Sequence, residues 1–175
     1  EGKTVIYILS EQTLLGFIAL SDIIRDSSRP AIDALRTMGI ESYLVTGDNQ
    51  RAAAHVANQL GIEHVFAEVL PDEKAIKVDD IQKSGKKVAM TGDGVNDAPA
   101  LAKADLGIAI GAGTDVAIET ADVVLVKSNP QDVVSLIRLS RATYRKMIQN
   151  LIWATAYNVV ALPLAAGILY NQGVV

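Results

Sequence analysis

Apolar and polar positions alternate along the chain in short blocks, and the length of each block separates strands from helices. Two apolar runs, Thr4–Leu9 and Leu14–Leu20, flank the polar Ser10-Glu11-Gln12-Thr13, which predicts a β-hairpin. Beyond it, Ile32, Leu35 and Met38 mark one face of a helix that opens at Pro30 and stops at Gly39. The pattern then alternates: strand Tyr43–Val45, helix Arg51–Leu60 ended by Gly61, strand His64–Ala67, and a helix opening at Pro71 with Asp72 and Glu73 in its first turn. It continues with strand Lys87–Met90, a small-residue helix from Ala98 to Lys103 and strand Leu106–Ile110. A helix capped by Thr114 or Asp115 and ending near Ala121, then strand Val123–Val126, complete the series. Strand and helix alternating over residues 40–126 predict an α/β fold, a mostly parallel sheet with helices on both faces.

Two polar clusters fall where such a sheet places its ligands, at the carboxyl ends of strands. The first is Thr91-Gly92-Asp93-Gly94-Val95-Asn96-Asp97. Gly92 and Gly94 remove bulk and permit a sharp turn, and Asp93 and Asp97 are spaced so that a turn entering a helix brings both carboxylates toward one pocket. Two hard oxygen donors suit Mg²⁺, and Asn96 adds an uncharged donor for a phosphate oxygen. The second cluster is Thr46-Gly47-Asp48-Asn49, where a hydroxyl and backbone N–H groups ahead of a helix make a phosphate seat. Taken singly, either cluster also reads as a strand-to-helix turn whose polar side chains cap the helix. Lys74 follows Asp72 and Glu73 in the first turn of its helix, where a fixed ammonium lowers repulsion among clustered anions. His55 and His64, the only histidines, are expected to be structural.

The carboxyl-terminal third changes character. An amphipathic helix over Gln131–Lys146 carries Arg138, Arg141, Arg145 and Lys146, and from Met147 to Val175 no side chain is charged. A stretch of this length, about 29 residues, is long enough for a bilayer core of about 30 Å, and cations at one end predict that this end faces the cytoplasm. Trp153 and Tyr170 sit near the expected interfaces, with Asn150, Tyr157, Asn158 and Pro163 between. A buried amphipathic helix is the other reading of the same stretch. This segment accounts for a hydrophobic content of 50%. A net charge of -4 disfavours a nucleic-acid partner, and the absence of cysteine excludes disulfides and thiolate metal sites within these residues. Nothing at Glu1-Gly2-Lys3 resembles a signal peptide, and the chain is expected to begin within a longer protein.

The run Thr91-Gly92-Asp93-Gly94-Val95-Asn96-Asp97-Ala98-Pro99-Ala100-Leu101 resembles the magnesium and hinge motif of P-type ion-pumping ATPases of the haloacid dehalogenase superfamily. Thr46-Gly47-Asp48 resembles that family's Thr-Gly-Asp motif, Lys74 its phosphate-neutralising lysine, and Asp22 with Arg25 its Asp-x-x-Arg hinge segment. Tyr157-Asn158 resembles a pair found in one transmembrane helix of heavy-metal pumps, copper pumps in particular. The resemblance implies the end of a nucleotide-binding domain over residues 1–20, a phosphorylation domain over 21–146 and a transmembrane helix over 147–172. It also implies ATP and Mg²⁺ as cofactors, Thr46, Gly47, Lys74 and Asn96 around the phosphoryl group, and Asp93 and Asp97 at the metal. An integral membrane location follows, with residues 1–146 cytoplasmic and with membrane lipid, copper and the other domains of the pump as partners. No Asp-Lys-Thr-Gly-Thr nucleophile segment and no Cys-Pro membrane motif occur, so these residues alone are expected not to turn over ATP. A zinc or cadmium pump, a soluble phosphatase of the same superfamily and a non-catalytic phosphate-binding module are the alternatives.

Overall fold

The structure is a computed structural model that describes residues 4–11, 13–20, 23–111 and 115–167. Asp22, Thr114 and Tyr170, all singled out in the sequence, lie outside the described residues. Backbone contacts divide the chain into two compact units, Glu1–Val134 and Ser135–Val175.

In the first unit, β1 (Thr4–Ser10) and β2 (Thr13–Leu20) form the expected antiparallel hairpin, pairing Thr4 with Leu20 and Ser10 with Thr13. Its apolar side chains are exposed, Tyr7, Leu9, Leu15 and Phe17 most of all. The α/β part follows as α1 (Ser28–Thr37), β3 (Tyr43–Val45), α2 (Gln50–Leu60), β4 (His64–Phe66) and α3 (Pro71–Lys83). It continues with β5 (Ala89–Gly92), a single 3₁₀ turn (Val95–Asp97), α4 (Ala98–Lys103), β6 (Leu106–Ile110), α5 (Asp115–Thr120) and β7 (Val123–Leu125). Gly39 and Gly61 take left-handed backbone conformations just past α1 and α2, which is why those helices stop there.

All strand pairings in this part are parallel, but the strands form two sheets, β3-β4 and β5-β6-β7, where the sequence predicted one. Among the described residues no strand joins β3 to β5. β5 also runs further toward its loop than expected, because its ladder with β6 continues through Thr91 opposite Ile108 to Gly92 opposite Ala109.

Small residues let the layers approach closely. Ala100, Leu101, Ile108, Ala109 and Ala117 are fully buried, so α4 and α5 lie tight against β6. A Cβ on Gly107 would stand 2.8 Å from the Leu101 carbonyl oxygen, a backbone atom that cannot yield without moving α4. Between α3 and α4, Asp79 accepts from Lys83 at 2.6 Å and Lys103 at 2.7 Å. Hydrogen bonding from Lys103, then Lys83, draws its carboxyl from 3.8 down to about 2.

In the second unit, the expected amphipathic helix and the uncharged stretch are one helix, α6 (Pro130–Ala165), which begins in the first unit and carries Pro163 inside it. The membrane-crossing helix expected over 147–172 is not supported: among the described residues no helix is long and apolar enough to cross a membrane, and residues 168–172 lie outside them. The regular helix ends at Ala165, and its uncharged part includes Gln149, Asn150, Thr155, Tyr157 and Asn158, whose polar groups dilute the apolar run.

Gly107→Ala is expected to destabilise the fold by about 2 kcal/mol through overpacking, read as a lowered urea midpoint. An unchanged midpoint would mean that α4 moves freely off β6. The Asp79 carboxyl is depressed on folding, so its link to Lys83 and Lys103 stabilises above its unfolded value of 3.8 and is lost as pH falls through about 2. Asp79→Asn should therefore weaken the acid dependence of stability across that window, and an identical acid limb would count against the link.

Candidate active site

The site is assembled from two loops that leave β3 and β5 on the same side. After β3, the Thr46 N–H continues the ladder by donating to the Phe66 carbonyl at 2.9 Å. The Thr46 hydroxyl then donates to Asp48 Oδ2 at 2.8 Å and accepts from the Asp48 N–H at 3.1 Å, a closed turn. Asn49 caps α2, its Oδ1 accepting from the Arg51 and Ala52 N–H groups. The Val69 N–H donates to the Thr46 carbonyl at 3.0 Å and the Glu68 N–H to the Asp48 carbonyl at 2.9 Å, so the segment entering α3 is bound to this loop. Glu68 has a left-handed φ of 56°, a conformation that nothing about a glutamate in the sequence signals.

From the start of α3, Lys74 reaches across 23 positions to the second loop and donates to Asp97 Oδ1 at 2.7 Å. The α3 start is itself fixed by Glu73, whose carboxylate accepts from the Leu70 N–H at 3.1 Å. The Lys74 and Asp97 side chains are only 17% and 13% exposed. The other Asp97 oxygen faces the Asp93 N–H at 3.4 Å, and the Asp97 N–H donates to the Gly94 carbonyl at 3.1 Å. The second loop is thus closed around one buried carboxylate, with Asp93, Asn96 and Thr91 exposed at its surface.

The two glycines of this loop differ. A Cβ on Gly92 would lie 2.6 Å from the Asp97 Cβ, so that residue must be glycine for Asp97 to turn inward. At Gly94 a Cβ would meet only the Asn96 N–H at 3.9 Å, and its φ of −123° suits any residue. Gly47 has room as well, with the Val69 carbonyl oxygen at 3.5 Å from a Cβ position.

The structure joins Lys74, Asp93 and Asp97 directly and ties Thr46, Gly47 and Asp48 to them through Val69 and α3. Arg25 is engaged elsewhere, its guanidinium donating to the Ser128 carbonyl. Tyr157 and Asn158 lie exposed on α6 in the second unit. His64 stacks on Tyr43 with ring centres 4.4 Å apart, and His55 sits 3.0 Å from Gln59 on its own helix.

The donor set bears on magnesium. Among the described residues no group of three or more His, Cys, Asp or Glu side chains is gathered to hold a metal. Asp97 spends its oxygens on Lys74 and a backbone N–H, which leaves Asp93 as the open carboxylate. One carboxylate completed by phosphate oxygens and water is a usual way to bind Mg²⁺, so these residues fit that ion in a site shared with a phosphorylated substrate.

A haloacid dehalogenase-like hydrolase family model matches residues 1–105, and a second model of the same description matches residues 74–137. The chain belongs to the haloacid dehalogenase-like hydrolases. Within them it is similar to P-type ATPases: it is 58% identical over 174 residues to the copper-exporting P-type ATPase B of Archaeoglobus fulgidus, covering 99% of this chain and 25% of that protein. It is 50% identical to the human copper-transporting ATPase 2 over all 175 residues, 12% of that protein's length. In structure it resembles a zinc-transporting PIB-type ATPase in the E2.Pi state, with a TM-score of 0.83 and 38% identity over 99% of this chain and 28% of that one. The chain therefore spans between 12% and 28% of the length of these relatives.

Lys74→Met is expected to cost about 2–3 kcal/mol, because it leaves the Asp97 carboxylate nearly buried without its cation. Lys74→Met combined with Asp97→Asn should cost clearly less than the two single changes summed, measured by urea denaturation as a double-mutant cycle. Strict additivity would show that the two groups do not act as a pair.

Proposed function

We propose that this chain is the phosphoryl-handling part of an ATP-driven heavy-metal pump, with copper as the cargo. The observation that carries this reading is the Lys74–Asp97 pair set beside an exposed Asp93 at the end of a parallel strand. The names of the relatives support the transport function and favour copper over zinc.

In this reading an aspartate from outside these residues attacks the γ-phosphorus of ATP. One P–O bond forms to its carboxylate, the bond to ADP breaks, and ADP leaves. Water later attacks the phosphoryl group, releasing inorganic phosphate and restoring the carboxylate. Lys74 supplies fixed positive charge, and Asp97 keeps it in place. The Thr46 hydroxyl and Asn96 amide donate to phosphoryl oxygens, the former by exchanging its Asp48 partner. Magnesium, when bound, neutralises phosphoryl charge, and Asp93 is the residue that would hold it.

The split sheet supports an external nucleophile. Contacts run from Thr46 through Val69 and α3 to Asp97 at the carboxyl ends, and from Glu41 and Tyr43 to Lys86 at the amino ends, so β3 and β5 run the same way. Yet no backbone ladder joins them. An extended segment of the same protein seated between them would emerge between the two polar loops.

The pump would sit in a cell membrane with residues 1–146 on the side that holds ATP. Tyr157 and Asn158 would meet the transported ion as weak oxygen donors, with softer donors supplied elsewhere.

Hydrolysis of ATP by the intact protein, titrated with Cu⁺ and Zn²⁺, tests this reading. Copper should stimulate turnover, and Asp93→Asn should lower it by about 100-fold or more. Stimulation by zinc alone would replace the cargo. Cleavage of small phosphate esters with no response to either metal would replace the pump by a phosphatase.

A further inference from the structure

We infer that Arg25 is a positioning residue, one that fastens the root of α6 to the strap by which the chain enters α1. Its guanidinium donates to the carbonyl of Ser128, a residue 103 positions away in the irregular segment between β7 and α6. Next to it, the Gln131 side-chain amide donates to the Ser27 carbonyl at 3.5 Å. Both strap residues are fixed from their own side, since the Ser28 N–H donates to the Arg25 carbonyl at 2.9 Å and the Ala31 N–H to the Ser27 carbonyl at 3.2 Å.

The Ser128 segment is pinned from a third direction. Gly111, at the end of β6, has a left-handed φ of 76°, and its N–H donates to the Leu125 carbonyl at 2.7 Å. A Cβ on Gly111 would run into the Ser128 hydroxyl and stand 3.2 Å from the Ser128 Cβ. Only a glycine lets the linker lie this close to the sheet. On the far side, Asn129 opens α6 by accepting from the Gln131 N–H at 3.1 Å and the Asp132 N–H at 2.9 Å, and Val134 is buried one turn later.

A cation beside the amino end of a helix meets the positive end of its dipole, so nothing about α6 as a dipole attracts a guanidinium there. Asp132, in the first turn, already complements that end. Among the described residues, the Arg25 guanidinium is held by a carbonyl that neither a helix nor a strand ladder uses. Three parts therefore meet at Ser128: the strap from the hairpin, the carboxyl edge of the sheet that carries Asp93 and Asp97, and the first turn of α6. A shift of the strap is transmitted to the start of α6 through Arg25, without passing through the phosphoryl loops.

The functional consequence rests on the pump reading, whereas the junction itself does not. Hydrogen exchange on the intact protein tests the junction directly. Arg25→Ala should speed exchange across residues 128–134 by about 10-fold or more while leaving residues 46–49 and 92–97 unchanged, with Arg25→Lys in between. If Arg25→Ala does not fold, Arg25→Gln is read by the same criterion. Unchanged exchange at 128–134, or an equal rise everywhere, would overturn the proposal. In metal-stimulated ATP hydrolysis, Arg25→Ala should lower kcat by about 10-fold and leave KM for ATP within about two-fold, and a fall confined to KM would refute transmission. An intact wild type that shows no metal-stimulated turnover would sink the pump reading, and the exchange result would still decide the junction.

Discussion

The ion pair between Lys74 and Asp97 is the constraint on which the rest of the site depends. Two aspartates four positions apart, close to where a phosphoryl group would sit, repel one another and the phosphate alike. A nearly buried ammonium at 2.7 Å removes that repulsion for one of them. The pair also does mechanical work. It ties the first turn of α3 to the 3₁₀ turn after β5, and so holds together two segments whose strands belong to different sheets. Gly92 follows from the same constraint, because Asp97 turns inward over the place where a Cβ would be. With Asp97 committed, Asp93 is left outward and open, and the asymmetry between the two carboxylates is what makes the loop a candidate site.

The two sheets have the loops on one side and exposed edges between them. Strand edges of this kind are a liability that proteins ordinarily cover. Here side chains cross where no backbone does: Lys86 reaches Glu41 and the Tyr43 hydroxyl at one end, Lys74 reaches Asp97 at the other. These long side chains connect the two sheets at both ends of β3 and β5. The exposed apolar faces of the β1–β2 hairpin present a related demand, since a two-stranded hairpin with little buried surface gains little from folding by itself. Both features fit a chain that spans a quarter or less of its relatives' length.

Most elements were legible in the sequence because their signals are local. Strand Tyr43–Val45, strand Leu106–Ile110, the glycine stops at Gly39 and Gly61 and the proline start at Pro71 all fall where the pattern put them. The polar loops were legible for the same reason, as two clusters at strand ends. Long-range facts were hidden. That Lys74 pairs with Asp97, that Gly92 is required by sterics while Gly94 is not, and that Arg25 engages Ser128 each depend on residues between 5 and 103 positions apart. The break of the sheet between β3 and β5 was hidden too, since alternation reports the number of strands and not their pairing. For the uncharged carboxyl-terminal stretch, charge and hydropathy part company: among the described residues, Gln149, Asn150 and Asn158 keep α6 below the apolar length that a span needs.

In the proposed pump, chemistry and cargo are separable. The phosphoryl loops offer carboxylates, a hydroxyl, an amide and an ammonium, all hard groups suited to phosphate and Mg²⁺, and the chain contains no cysteine. A soft cation such as Cu⁺ finds no thiolate among these residues. The chain is similar both to a copper exporter, at 58% identity, and to a zinc transporter, at a TM-score of 0.83. In the proposed pump such a hard-oxygen site would suit either cargo, so what passes between site and cargo would be movement, not coordination. In that proposal the mechanical connection starts where α6 is rooted, beside Ser128 at the carboxyl edge of the β5-β6-β7 sheet.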